Sequence, residues 1–291
     1  MFEGVIPAII TPFLRNPTRD VDIEGLRSNI EFLLAHGVHG IVPCGSTGES
    51  ATLTFEEHEK VIEVAIDVAG GKVPVIAGTG SNNTAEAIRL TKAARDMGAD
   101  GALVISPYYN KPNRSGLMKH YTALADLDIP VIMYNVPGRT GQNLAIDLVV
   151  ELSHHPNIVA IKEASGDIGQ MSRIIEGTLD EDFQVISGDD NITLPILALG
   201  GAGVISVAAN VEPARMVAMF ESFCDGDLEA ALDMHYELSP LFRAMFIDTN
   251  PIPVKKAVEL RGMAGGPPRL PLDELDTEKT AKLAEVLSTY D

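Results

Sequence analysis

Apolar residues in this chain fall in short, nearly unbroken runs, each followed by a stretch in which they recur every three or four positions. The runs are GVIPAIIT from Gly4, GIVPC from Gly40, VPVIAG from Val73, GALVIS from Gly101, PVIMYN from Pro130, IVAIKEA from Ile158, FQVIS from Phe183 and GVISVA from Gly203. Side chains alternate between the two faces of a strand, so a run that is apolar at consecutive positions fits a parallel strand covered on both faces. The stretches between have the period of amphipathic helices, with AEAIRLTKAARDM the clearest. Their ends carry boundary chemistry. Thr54 with Glu57 predicts a capping box, Asn83 or Thr84 an N-cap, and Gly37 and Gly98 C-terminal caps.

Eight such units in succession predict a (β/α)8 TIM barrel over residues 1–225. A doubly wound sheet is the alternative, but it would carry a glycine-rich nucleotide turn after the first strand, where this chain has TPFLRNPTRD. Beyond Cys224 the strand rhythm stops. Residues 226–291 show helical patterns only, broken at Pro240, Pro251, Pro253 and the loop GGPPRLP, which predicts a C-terminal helical appendage packed on the barrel or on a partner chain.

Composition narrows the function classes. The chain is 291 residues long and 45% hydrophobic, enough for a sizeable core. Its formal charge of −19 argues against nucleic acid and anionic membranes as partners. The acidic residues are spread along the chain, as on a solvated surface of the kind salt adaptation also produces, rather than gathered in an acidic tail. Two cysteines, Cys44 and Cys224, are too few for a disulfide framework. The N-terminus has no basic region, and no apolar stretch reaches membrane-spanning length, so a cytoplasmic globular protein is expected.

Barrels place their chemistry at the C-terminal ends of the strands. Those ends read CGSTGES, GTGSN, SPYYNKP, YNVPGRTG, KEASGD, SGDD and SVAAN, whereas the strand starts are glycine, proline and aliphatic residues. Lys162 stands at one such end and Tyr134 at the neighbouring one. A lysine among apolar walls has its charged form disfavoured, which frees the amine to attack carbonyls, and a nearby phenol can carry protons. Ser46 and Thr47 before Gly48 offer hydroxyls and N–H groups suited to a carboxylate. Together they suggest a Schiff-base enzyme acting on a 2-oxo acid.

Plainer readings stand beside this one. Lys162 could be ion-paired, although adjacent Glu163 should point to the opposite face of the strand. Tyr108 and Tyr109 could anchor a loop. Asp189-Asp190 reads better as a turn with a helix cap than as a metal site. GGAGVIS resembles a glycine-rich phosphate site, which keeps a phosphorylated substrate in play. His154 and His155 precede a proline and should be exposed. None of the seven histidines falls at a strand end, so no metal site is expected.

GSTGES from Gly45, PVIAGTGSN from Pro74, PYYNKP from Pro107, YNVPGRTG from Tyr134, IVAIKEASG from Ile158, SGDD from Ser187, GAGVISVAAN from Gly201 and NPIPVK from Asn250 occur in this order over the whole chain. In this the sequence resembles the pyruvate-dependent class I aldolase family that includes dihydrodipicolinate synthases and N-acetylneuraminate lyases. The resemblance implies a Schiff base on Lys162, proton transfer by Tyr134, and a relay completed by Ser46 and Tyr109. It also implies pyruvate contacts from Thr47 and the backbone at Ile205, and no cofactor.

The likeness is closer to the synthase branch. Arg139 in PGRTG is the discriminating residue, matching the group that meets the carboxylate of L-aspartate-4-semialdehyde on the route to diaminopimelate and lysine. Serine at position 46, where many synthases have threonine, also occurs in the sugar-acid lyases. An aldolase for N-acetylneuraminate or 2-keto-3-deoxygluconate is therefore the alternative. A barrel that had kept its fold and lost catalysis would show damage at Lys162, Tyr134 or the GSTGE loop, and all are intact. The resemblance further implies that Tyr109 serves a neighbouring subunit, within a homo-oligomer that is usually a dimer of dimers. It places a possible lysine-feedback site at Ser50, Ala51, His58, Asn82, Glu86 and Tyr108, with Phe55 at a position that is often polar.

Overall fold

The computed structural model describes residues 2–291. Seven parallel strands form one sheet: β1 (Gly4–Pro7), β2 (Ile76–Gly78), β3 (Gly101–Ile105), β4 (Val131–Asn135), β5 (Ile158–Glu163), β6 (Gln184–Ser187) and β7 (Gly203–Ser206), in the order β1-β7-β6-β5-β4-β3-β2. The two ends of that order, β1 and β2, are joined by the predicted run at Gly40. Ala8 pairs with Val42 and Ile41 with Val75, both parallel. Val42 N–H donates to the Pro7 carbonyl at 2.8 Å, and Ile76 N–H to the Ile41 carbonyl at 2.9 Å. This eighth stave closes the barrel but is only a bridge long, because Pro43 has no N–H for the ladder and Cys44 turns at φ 56°.

Ile6, Ala8, Val42, Ile76, Leu103, Ile132, Ala160, Ile186 and Ile205 fill the barrel interior, with Phe2 among them. Gly4 and Gly203 face each other across β1 and β7 so closely that a Cβ on Gly203 would lie 2.1 Å from the Gly4 carbonyl oxygen. The glycine run before β7 therefore serves strand packing at the entry end of the barrel. It lies at the end opposite the polar strand ends, so the phosphate-site expectation for GGAGVIS is corrected.

The helix ends follow the sequence. Thr54 and Glu57 make both bonds of the capping box, Asn83 caps Thr84–Met97, and Gly98 ends that helix in the left-handed region. The appendage contains helices Leu228–Ala244, Ile252–Leu260 and Thr277–Leu287. Leu238, Leu241, Phe242, Val254, Val258, Leu283 and Leu287 join Val5, Ile10, Leu26, Ile30 and Val204 in one core, so the appendage packs on its own barrel.

Pro240 does not break its helix as the sequence suggested; it lies inside Leu228–Ala244. The buried side chains of Leu238, Leu241 and Phe242 hold that turn against the barrel, while Ser239 Oγ donates to the His235 carbonyl at 2.8 Å. Proline removes one backbone donor here, and tertiary packing outweighs it. His154 is exposed, but His155 is half-buried beside Asp126, a partial correction. None of the described helices is long and apolar enough to cross a membrane.

Candidate active site

The polar strand ends meet over an open-mouthed cavity. Its wall includes Ser46, Thr47, Leu103, Tyr134, Arg139, Lys162, Gly188, Asp189 and Val207, with Phe246 and Asn250 reaching in from the appendage. Lys162 and Tyr134 are register partners on β5 and β4, so the sheet itself sets them side by side. Lys162 Nζ lies 4.3 Å from the centre of the Tyr134 ring. The lysine is 6% exposed, and among the described residues no carboxylate pairs with it. Burial lowers its pKa to about 7, with the charge of Asp190 opposing and that of Arg139 reinforcing the shift. Burial pushes the Tyr134 phenol up to about 12, against the Arg139 charge.

The ion-pair alternative for Lys162 is resolved by the strand's alternation. Glu163 is buried on the helix side of β5. It accepts from Asn135 Nδ2 at 2.9 Å, Gln170 Nε2 at 2.9 Å and the Ser165 N–H at 2.7 Å. A buried carboxylate thus satisfied needs nothing from Lys162. Gly188 is equally constrained: a Cβ there would lie 2.7 Å from Ala164 Cβ and 3.0 Å from Lys162 Cε, so the glycine leaves room for the amine's arm.

The loop Gly45–Ser50 supplies Ser46 and Thr47, flanked by Cys44 and Glu49 in the left-handed region at φ 56° and 53°. Glu49 N–H donates to the Ser46 carbonyl at 3.2 Å, and Thr11 Oγ1 to the Gly48 carbonyl at 2.7 Å. The N–H groups of Ser46 and Thr47 find no acceptor among the described residues. Asn250 spans the opening. Its Nδ2 donates to Thr47 Oγ1 at 3.0 Å, and its carbonyl accepts from Arg139 Nη2 at 2.8 Å. Arg139 stands at the solvent-exposed rim.

Two expected residues are not in this wall. Ile205 packs in the barrel interior, and Val207, two residues on, lines the cavity instead. Tyr109 is 90% exposed at φ 73°, held away from its own barrel's cavity, and so is not a loop anchor. Asp189 caps the short turn after β6 by accepting from the Asn191 N–H at 2.9 Å, as the sequence suggested. Asp190 accepts from the N–H groups of Val207 and Ala208 at 3.1 and 2.9 Å. No group of three or more potential metal ligands occurs among the described residues.

Ser50, Ala51, His58, Glu86 and Tyr108 do meet, in a second cavity that shares Ser46, Ser50, Gly80, Ile105, Arg139 and Asn250 with the first. Asn82 is not in its wall; its carbonyl accepts from Asn110 Nδ2 at 2.8 Å. Phe55 lies outside as well, under the Arg89 guanidinium at 3.6 Å. Asn250 and Phe246 were missed by the sequence reading, although NPIPVK was the visible signal for the former.

Comparison with known proteins gives one consistent result. The sequence profile of the Dihydrodipicolinate synthetase family matches residues 1–290. A 4-hydroxy-tetrahydrodipicolinate synthase of Methanoculleus marisnigri is 74% identical over 290 residues, covering 100% of both chains. The crystal structure of dihydrodipicolinate synthase from Aquifex aeolicus superposes with a TM-score of 0.96 at 49% identity, covering 99% of this chain and 98% of that one. The chloride-inhibited dihydrodipicolinate synthase of Acinetobacter baumannii, solved in complex with pyruvate, superposes at 0.94 with 42% identity over 99% of this chain and 98% of that one.

Proposed function

The chain belongs to the dihydrodipicolinate synthetase family, and from that premise we propose that it is a lyase condensing pyruvate with L-aspartate-4-semialdehyde to 4-hydroxy-tetrahydrodipicolinate. The observation that carries this reading is Lys162, a buried lysine without a counter-carboxylate, set beside Tyr134 beneath a rim arginine.

The chemistry follows from the groups present. With a pKa near 7, Lys162 has a large neutral fraction at neutral pH, and its amine attacks C2 of pyruvate. The carbinolamine loses water to give an imine, with the Tyr134 phenol carrying the proton. The protonated imine then draws electrons from the methyl C–H bond. Loss of that proton leaves an enamine, so the imine itself is the electron sink and the chemistry calls for no cofactor. The enamine carbon bonds to the aldehyde carbon of the semialdehyde. The amino group of the product displaces Lys162 by transimination, closing the ring and regenerating the amine. One water leaves at imine formation and none elsewhere.

Thr47, with the free N–H groups of Ser46 and Thr47, receives the pyruvate carboxylate. Arg139 receives the carboxylate of the second substrate in a bidentate pair. The Ile205 backbone is kept only as a contact beneath the pyruvate pocket, since its side chain belongs to the core.

Tyr109 completes the relay with Ser46 and Tyr134 from a neighbouring chain, within a homo-oligomer that we propose is a dimer of dimers. Its exposure and left-handed backbone support this. Mixing Lys162→Ala and Tyr109→Phe chains should restore activity that neither has alone; no recovery would remove the shared relay. The second cavity is proposed as a lysine-feedback site, supported by the carboxylate of Glu86 near His58, whose charged form burial disfavours. Lysine that inhibits wild type and Glu86→Ala equally would remove that role. A reducing cytoplasm fits the two cysteines, both free and one of them exposed.

The test offers pyruvate with aspartate semialdehyde, glyceraldehyde or N-acetylmannosamine. Consumption should favour the semialdehyde, and Arg139→Ala should lose roughly 30- to 150-fold in kcat/KM for it, the scale of about 2–3 kcal/mol for a hydrogen-bonded charge. Preference for either other aldehyde would turn the reading into a sugar-acid aldolase.

A further inference from the structure

Glu49 occupies a backbone conformation in which glycine would cost less, at φ 53°. A side chain retained at such a position has work to do, and its contacts say what. Glu49 Oε1 accepts from Lys255 Nζ at 2.6 Å, and both side chains are 1% exposed. Its Oε2 accepts from the Arg269 N–H at 2.9 Å. Lys255 spends its remaining donors on the carbonyls of Thr11 at 3.1 Å and Pro267 at 3.2 Å. Phe13 is clasped between Lys255 and Arg269, whose charged groups lie 4.1 and 4.3 Å from its ring centre.

Four segments meet at this pair: the turn after β1, the Gly45–Ser50 loop, helix Ile252–Leu260 and the loop GGPPRLP. Of these, the Gly45–Ser50 loop is the one proposed to touch substrate, and it is tied down at Thr47 and at Glu49. Asn250 holds Thr47 from the same appendage that supplies Lys255 to Glu49. A buried ion pair is a poor way to gain stability, because desolvation offsets most of the attraction. It is a good way to hold one arrangement, since its loss leaves a buried charge unpaired.

We propose that Lys255 and Glu49 are positioning residues for pyruvate capture, locking the Gly45–Ser50 loop to the C-terminal appendage so that Ser46 and Thr47 present their hydroxyl and N–H groups to the substrate carboxylate. This rests on the proposed imine chemistry at Lys162. The appendage is thereby part of the pyruvate site, although it contributes no reacting atom.

Borohydride trapping of the pyruvate imine tests the inference without the second substrate. Three proteins are compared: wild type, Lys255→Met, and the double variant Glu49→Gln/Lys255→Met, which removes both charges and keeps the volume near that of the pair. Circular dichroism fixes the folded fraction of each. The expected result is a half-saturating pyruvate concentration raised tenfold or more in the folded double variant. The pH midpoint of trapping should stay where wild type has it, because Lys162 is untouched. A folded double variant with wild-type half-saturation overturns the proposal, as does a loss of trapped protein that merely follows the unfolded fraction. If Lys255→Met does not fold, the double variant alone decides. Wild type that traps no pyruvate would instead overturn the Schiff-base reading, so the two failures are distinguishable.

Discussion

Lys162 and Lys255 are both buried lysines packed against an aromatic ring, one at Tyr134 and the other at Phe13. Burial lowers both pKa values, to about 7 and about 8. They part company in what surrounds the nitrogen. Lys255 has an acceptor for each of its three donors, one of them a carboxylate, whereas Lys162 pairs with no carboxylate and opens onto a cavity. A fully bonded ammonium is a tie; an ammonium denied a counter-ion is a latent nucleophile. Burial alone does not distinguish a reactive lysine from a structural one. The count of satisfied donors is what separates these two.

The sharpest way to break this contrast is to exchange each lysine for methionine. Lys162→Met should abolish borohydride trapping of pyruvate in a folded protein, and trapping at another lysine would refute the assignment. Lys255→Met should leave Lys162 able to react but strand the Glu49 carboxylate, at a cost of about 3–5 kcal/mol measured by denaturant unfolding. Adding Glu49→Gln should return part of that stability. A double variant no better than the single one would mean that the ammonium's bonds to the Thr11 and Pro267 carbonyls, rather than its pairing with Glu49, held the site.

The pH dependence separates the two lysines more finely. Neutral amine is the reactive form, so the rate of imine formation should rise with pH, pass half-height near pH 7 and level off above it. A rate still climbing toward the ordinary lysine value of 10.5 would show that Lys162 is solvated. The smallest expected effect is that of Gly188→Ala, whose methyl group would press on Lys162 Cε and Ala164. A several-fold loss of imine formation with an unchanged pH midpoint would mark misplacement of the arm without a change in its environment.

Much of this was legible in the chain, for identifiable reasons. Parallel strands buried on both faces advertise themselves as unbroken apolar runs, and all eight staves were visible that way, including the one reduced to a bridge by Pro43. Lys162 and Tyr134 stood out because alternation and strand ends are local properties. Proline's local rule failed at Pro240, where packing against the barrel decided the matter. The glycines before β7 misled because composition does not say which end of a barrel a turn occupies. Asn250 and Lys255 were illegible as partners of the mouth loop: they reach Thr47 and Glu49 across 203 and 206 residues of sequence, and nothing in either neighbourhood names the other.

The wall common to the two cavities constrains how this protein can change. Ser46, Ser50, Gly80, Ile105, Arg139 and Asn250 each face both spaces. Any molecule that settles in the outer space and alters how tightly the inner one holds its substrate must have its own affinity altered by the same factor when that substrate is present. A substitution in the partition that changes this factor therefore changes it for both occupants at once. Six shared residues, rather than any long-range signal, would carry that coupling.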